Sequence, residues 1–403
     1  MFDQKSNRMK TLKKCDFKGK KALIRVDFNV PLNEQMIVTD TSRIEAAKPT
    51  VQAVLKGGGS AVLMSHLGRP KGKEERYSLS HIRGEVERIM EVPVHFVPDC
   101  IGDEVRHAVE NLPDGEILLL ENLRFYPGEK AGDEDFARRL AQWGDIYVND
   151  AFGTAHRAHA STSVIARFFE RKCFGLLMEK ELKNIEKALY QAMPPVVAIL
   201  GGAKVSSKIG VIEHLLDRVN HLIIGGAMSF TFIKARGGEI GDSLYEADKI
   251  DLALHIMEQA EAKGVKLHLP MDVIAGDSLS ANAQVRQYQA NSIPDGWMGL
   301  DIGPKTQIAY SFVIMQAQTI IWNGPMGVFE IPAFAGGTME IAQAVADATR
   351  EGAYSLVGGG DSVAAVKKMG FARKVSYVST GGGAMLEALE GKMLPGVEAI
   401  ENS

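Results

Sequence analysis

Short apolar runs recur along this chain, separated by stretches in which apolar residues return every three or four positions. In the first half the runs at 22–26, 61–64, 94–97, 116–120 and 146–148 read as buried strands. The stretches at 45–55, 82–90 and 134–143 read as helices between them. At 176–190 the run LLMEKELKNIEKALY keeps Leu182, Ile185 and Leu189 at helical spacing and sets Glu179 four residues before Lys183, before Pro194 and Pro195 close the stretch. Strand-like runs then resume at 196–200, 221–224, 266–269, 319–322, 354–357 and 375–378. Alternation of this kind predicts α/β architecture, with doubly wound parallel sheets covered by helices on both faces. The helix at 176–190 is expected to connect two such domains.

Ligands of such sheets bind beyond the carboxyl ends of the strands, so the residues just after each run carry the information. In the first half they are polar. RVDFNVP supplies Asp27 and Asn29, and Arg43 follows in the next loop. SHLGRP supplies His66 and Arg69, ENLRF supplies Arg124, and NDAFGTAHRAHAS supplies His156, Arg157 and His159. A single arginine reads best as a solvated charge. Four of them on one rim predict a site for a small molecule with more than one negative group, because the guanidinium fork matches carboxylate and phosphate.

In the second half the strand ends carry glycine instead. GGAKVSSK, GGAM, NGPMGVFE, GGGDSVAAV and STGGGAM follow their strands directly, and a glycine rim suits the close backbone approach that a nucleotide needs. In YSLVGGGDSVAAV, strand, glycine loop and helix start present free N–H groups to an anion, with Asp361 as a helix cap or a magnesium ligand. Lys204 and Lys208, four apart before the helical pattern Ile209, Ile212, Leu215, Leu216 and Val219, are expected to share a face near its start. No loop reads GxGxxG after the first strand, and none reads GxxxxGK[ST]. A dehydrogenase fingerprint and a P-loop are therefore both absent.

Composition narrows the classes. The chain has 403 residues, 45% of them hydrophobic, and a net charge of −4, which offers no global basic field for nucleic acid or membrane. The three cysteines, Cys15, Cys100 and Cys173, are scattered and make neither a disulfide framework nor a zinc motif, as in a reducing cytoplasm. The basic opening MFDQKSNRMKTLKKC lacks the apolar core of a signal peptide and is expected to be frayed or surface-bound.

Taken together, RVDFNVP, SHLGRP, ENLRF, NDAFGTAHRAHAS, GGAKVSSKI, GLDIGPKT, WNGPMGVFE, GGGDSVAAV and STGGGAMLEALEGKMLPG resemble phosphoglycerate kinases, in that family's order and from about Cys15 to Gly396. The resemblance implies two Rossmann-like domains joined by a helix and hinge. Residues 1–175 would bind 3-phosphoglycerate, 176–193 form the interdomain helix, 194–385 bind nucleotide, and 386–403 fold back on the first domain. It implies reversible, magnesium-dependent phosphoryl transfer between ATP and 3-phosphoglycerate, giving ADP and 1,3-bisphosphoglycerate, in a cytoplasmic monomer. Acid binding then falls to Asp27, Asn29, Arg43, His66, Arg69, Arg124 and Arg157. Nucleotide binding falls to Lys208, Gly225, Asn323, Pro325, Glu330 (on the ribose), Gly359, Gly360, Asp361 and Ser362, with Asp361 on the Mg-nucleotide. Arg43, Lys204 and Lys208 would be catalytic, with Gly381, Gly382 and Gly383 adding N–H donors. The segments YSLSHIRG and PMDVIAGDSLSAN depart from the family pattern, and neither carries a site residue.

The implied nucleophile is a carboxylate, ionised at neutral pH, so no general base is required. The obstacle is charge: each close pair of like charges costs roughly 4 kcal/mol at an effective dielectric of 20. Cations and domain closure would offset it and exclude water. Two other readings compete: a nicotinamide-dependent dehydrogenase, and a catalytically inactive nucleotide-binding scaffold on the same fold.

Overall fold

The computed structural model describes residues 9–402. The chain divides into two compact units, Met1–Lys183 with Met393–Ser403, and Asn184–Lys392. The division falls within helix Leu176–Leu189, which ends before Pro194 is reached.

The first unit is built on a six-stranded sheet in the spatial order Val94–Phe96, Ile117–Leu119, Ser60–Met64, Lys21–Arg25, Ile146–Asn149, Lys172–Phe174, with every neighbouring pair parallel. Central strands of such a sheet are covered on both faces, which is why Ser60–Met64 is buried along its whole length and reads as one apolar run. Helices Ser42–Lys56 and Ser80–Met90 bring Ile44, Val51, Val54, Ile82 and Val86 into a cluster with Ile24, Leu63 and Leu119. The chain leaves Lys21–Arg25 toward one edge and Ile146–Asn149 toward the other. The gap between these two strands is therefore the switch point at which such sheets bind ligands.

One strand of this unit differs from expectation, and the N-terminal segment takes the bound form of its two expected alternatives. Lys172–Phe174 is a sixth, edge strand, too short to stand out as an apolar run. The Phe174 N–H donates to the Lys10 carbonyl at 2.8 Å, and Met9 and Leu12 are buried. Residues 9–15 are thus tied to the sheet edge and not frayed; residues 1–8 of the basic opening lie outside the described residues. At the other terminus, helix Pro395–Glu401 lies on this unit. The Gly396 N–H donates to the Ala155 carbonyl at 2.8 Å, and Asn149 Nδ2 donates to the Gly396 carbonyl at 3.2 Å.

The second unit has its own six-stranded parallel sheet, ordered Lys266–His268, His221–Ile224, Val196–Leu200, Thr319–Asn323, Tyr354–Gly358, Tyr377–Val378. Its switch point lies between Val196–Leu200 and Thr319–Asn323, both buried along their whole length. The sequence reading missed an antiparallel sheet in which Asp272–Gly276 pairs with Val285–Gln289 and Met298–Ile302. Val285–Gln289 is almost wholly exposed, and Gly299 interrupts Met298–Ile302, so neither shows the apolar run of a covered strand.

Candidate functional site

In the first unit the strand ends converge on a cationic site. Asp27 follows strand Lys21–Arg25 and accepts a hydrogen bond from Arg43 Nη1 at 2.6 Å. Burial pushes the Asp27 carboxyl up, but His66, Arg43, Arg25 and the Asn29 N–H outweigh it and hold it below the usual range. The Gly68 peptide is gripped at both ends: its N–H donates to Asn29 Oδ1 at 2.8 Å, and its carbonyl accepts from Arg124 Nη1 at 2.5 Å. A side chain at Gly68 would meet the Tyr77 ring at 2.4 Å, and its φ is +62°, so glycine is required there. Asn122 braces the same loop, with Nδ2 donating to the Leu67 carbonyl at 2.8 Å.

Arg43, Arg124 and Arg157 crowd this rim, with Arg25 buried beside them. Arg124 is 8% exposed, and its Nε has no hydrogen-bond partner. Burial, with Arg157 and Arg25 nearby, lowers its pKa to about 10. Half-buried Arg157 donates from Nε to His156 Nε2 at 3.2 Å. His159 is buried and pulled down to about 4 by burial and by Arg157, Arg25 and Arg124. Arg69 is exposed on the loop after His66. A cluster of cations that raise one another's free energy, with a buried guanidinium nitrogen unpartnered, is suited to receive an anion.

The sequence reading missed Arg25, which sits inside an apolar strand and is 1% exposed. Its Nε donates to Ser161 Oγ at 2.9 Å, and Ser161 Oγ donates to the buried Glu129 at 2.6 Å. Its Nη2 lies 3.2 Å from His66 Nδ1. Arginine only donates, so His66 Nδ1 accepts and the ring proton sits on Nε2. Burial keeps His66 uncharged; Asp27 opposes and Arg25, Arg124 and Arg43 reinforce, so its pKa falls well below the ordinary imidazole value. His66 is thereby set as a neutral N–H donor. The one signal in the sequence was a charge within the run KALIRV.

In the second unit the glycine loops serve two purposes. Some are demanded by neighbouring protein. A Cβ on Gly201 would lie 2.0 Å from the Pro325 carbonyl oxygen, one on Gly225 would lie 2.4 Å from Met326 Sδ, and one on Gly226 would lie 2.6 Å from Gly202 N. Others face open space: a Cβ on Gly202 or Gly360 would meet nothing within 4 Å. Gly359, at φ +95°, precedes helix Gly360–Lys368, which places Asp361 in the first turn, exposed and not at the cap position. The capping reading of Asp361 is therefore set aside. Helix Gly382–Leu389 starts beside it, with Gly382 close to Gly360 N, Gly381 buried before its first turn and Gly383 exposed.

The two lysines part company. Lys204 is exposed in the loop ahead of helix Ile209–Leu215, whereas Lys208 sits just before the first turn and is 8% exposed. They do not share a helix face, because residues 201–208 are still irregular. Lys208 Nζ donates to Asn323 Oδ1. Burial lowers its pKa to about 8, with Asp361 opposing. Asn323 and Ser362 are themselves committed: Asn323 Nδ2 donates to the Gly358 carbonyl at 3.0 Å, and Ser362 Oγ accepts from the Gly324 N–H at 2.5 Å.

These loops open onto a cavity of about 550 Å³, lined chiefly by apolar groups including Gly202, Phe230, Met298 and Val328, with Pro325, Glu330 and Asp361 also on its wall. Its size and character suit a planar base with a few polar contacts. Strand Met298–Ile302 supplies one side, so missing that strand also meant missing the wall. Asp301 lies there, its carboxylate accepting from the Gly337 N–H at 2.6 Å and the Ile302 N–H at 2.9 Å. Burial outweighs those two bonds and raises its pKa to about 7. The motif GLDIGPKT contains it, yet nothing in that string marks the aspartate as buried.

The chain matches the family model described as phosphoglycerate kinase over residues 12–392. It is 52% identical over 394 residues to "Phosphoglycerate kinase" of Chlorobium limicola, covering 98% of this chain and 99% of that one. It is 50% identical over 393 residues to "Phosphoglycerate kinase, cytosolic" of Nicotiana tabacum, covering 98% of each. Among solved structures, phosphoglycerate kinase from Coxiella burnetii superposes with a TM-score of 0.88 at 40% identity, covering 97% of this chain and 98% of that one. With a fold, a cationic rim and a glycine rim of this kind, and with relatives matching from end to end, this chain belongs to the phosphoglycerate kinase family.

Proposed function

We propose that the chain moves a phosphoryl group reversibly between ATP and the carboxylate of 3-phosphoglycerate, giving ADP and 1,3-bisphosphoglycerate. One observation carries this reading best: two sheet switch points in one chain are equipped for different anions. The first offers guanidinium groups and the second offers glycine backbone beside an apolar cavity.

In this scheme Arg124, Arg157, Arg69 and the His66 Nε2–H hold the anionic ends of the acid, while Asn29 and Asp27 fix the loops and Arg43. The carboxylate attacks directly and in line, with no proton to remove. Arg43 is held by Asp27 yet 39% exposed, free enough to reorient toward developing charge. Lys208 and Lys204 meet the phosphates, and Glu330 the ribose. Gly360 and Gly381–Gly383 supply backbone N–H groups where a side chain would block approach.

Magnesium fits this rim. Among the described residues no three carboxylate, imidazole or thiol groups gather to hold a metal. The ion would take Asp361 as its protein ligand, with phosphate and water oxygens completing the set, a common arrangement for this cation. Bound with the nucleotide, it supplies charge neutralisation. A cytoplasmic setting follows the cytosolic tobacco relative. No feature of either rim favours the inactive scaffold.

The test is to mix the protein with ATP, magnesium and 3-phosphoglycerate and to trap the acyl phosphate through an NADH-linked dehydrogenase. NADH oxidation requiring all three components supports the proposal. Nucleotide binding by folded protein without oxidation would refute it.

A further inference from the structure

We propose that Cys15 and Cys173 form an oxidation site at which a hydroperoxide converts two thiols into one intramolecular disulfide. Both cysteines are free. They lie 158 positions apart in sequence but meet at the edge of the first unit's sheet. Thr11 bridges Phe174 in parallel, and the Phe174 N–H donates to the Lys10 carbonyl at 2.8 Å. The Cys15 N–H then donates to the Leu12 carbonyl at 3.1 Å, turning the chain back so that Cys15 packs against the core cluster that contains Cys173. The two thiols lie close enough that each shifts the other's titration.

The pair is asymmetric. Cys15 is half-buried and open to a small oxidant, while Cys173 is 1% exposed. The neighbouring Cys173 thiol lowers the Cys15 pKa to about 7 against the cost of burial, with Arg171 assisting. The Cys15 thiol and its charge, together with burial, push Cys173 up. The proton therefore stays on Cys173, and the thiolate forms on the accessible partner. That thiolate attacks the peroxide O–O bond, giving a Cys15 sulfenic acid and, with one proton, water. The Cys173 sulfur then attacks the sulfenic sulfur, its proton leaves with the departing hydroxide, and a second water is released. Two thiols and one hydrogen peroxide become one disulfide and two waters. The link fastens residues 10–15 to strand Lys172–Phe174, which leads directly into helix Leu176–Leu189. Cys100 serves as an internal control: it is buried, its thiol donates to the Glu121 carbonyl at 3.0 Å, and burial with Asp99 and Glu121 nearby raises its pKa well above the ordinary value.

The test treats the full chain with hydrogen peroxide, blocks remaining thiols by alkylation and maps peptides by mass spectrometry without reductant. The expected product is one peptide pair joined through Cys15 and Cys173, lighter by two hydrogens and separated again by dithiothreitol, with Cys100 alkylated only after unfolding. The oxidised protein should melt at higher temperature, since the link closes a long loop in the unfolded chain. In Cys173→Ser, Cys15 should instead advance to sulfinic acid. Accumulation of sulfinic acid on Cys15 in the unsubstituted chain, a Cys15 link between two chains, or oxidation of Cys100 ahead of Cys15 would each overturn the proposal.

Discussion

In the proposed scheme Lys208 meets the nucleotide phosphates, and its protonation tests that role. The residue is 8% exposed, and burial lowers its pKa from 10.5 to about 8 despite Asp361 nearby. Charge on it thus costs the free protein about 3 kcal/mol. The sign follows from the depressed value: the cost is fully present below pH 8 and fades as the pH climbs toward 10.5, where folded and unfolded chains are both neutral at this group. A nucleotide phosphate beside Nζ reverses this. At an effective dielectric near 20, one close opposite charge returns about 4 kcal/mol, roughly three pH units, which restores full protonation. Binding must then draw protons from solvent: about half a proton at pH 8, under about 0.1 at pH 7 and about 0.9 at pH 9. Calorimetric titration with Mg·ADP in buffers of differing ionisation enthalpy measures that number as a slope. Lys208→Met, which keeps length without the amine, should remove the uptake from whatever binding remains, and the free variant should be relatively most stabilised below pH 8. Absence of proton uptake at pH 8 in the unsubstituted protein would refute the reasoning.

Other substitutions separate framework from function. Asp361→Ala should weaken Mg·ADP far more than metal-free ADP and lower the melting temperature only slightly, because the side chain is exposed and caps nothing but offsets the Lys208 charge; equal affinities in calorimetry would remove it from metal binding. Gly201→Ala places a Cβ 2.0 Å from the Pro325 carbonyl oxygen and should cost about 1–3 kcal/mol in denaturant unfolding. Gly360→Ala meets nothing within 4 Å and should spare stability while lowering nucleotide affinity. Arg43→Ala should lower turnover more than it weakens nucleotide binding in steady-state kinetics; full turnover would exclude it from the transition state.

The parallel strands were legible because sheets covered on both faces demand continuous apolar runs, as in residues 196–200 and 319–323, and the rim residues followed from those strand ends. What escaped was whatever lacked that signature. Lys172–Phe174 is three residues long and ends on a partner from the N-terminal segment. Val285–Gln289 is polar because water covers it. Arg25 looked like an interruption in a strand, since a buried cation is identified only by its partners, Ser161 and His66, which lie 136 and 41 positions away. The glycines were read as making room for ligand. For Gly201 and Gly225 the room is taken by Pro325 and Met326, a packing demand that sequence spacing does not reveal. Lys204 and Lys208 were misplaced because helix Ile209–Leu215 starts only after both.

The central claim is a division of labour: acid on the arginine rim of one unit, nucleotide on the glycine rim of the other. Amide hydrogen exchange with each substrate alone tests it. 3-Phosphoglycerate should slow exchange around Asn29, His66–Arg69, Arg124 and Arg157, and Mg·ADP should slow it around Gly202–Lys208, Gly226 and Gly359–Ser362, with each leaving the other set unchanged. Protection of the glycine loops by 3-phosphoglycerate alone, or of the arginine loops by Mg·ADP alone, would contradict the account.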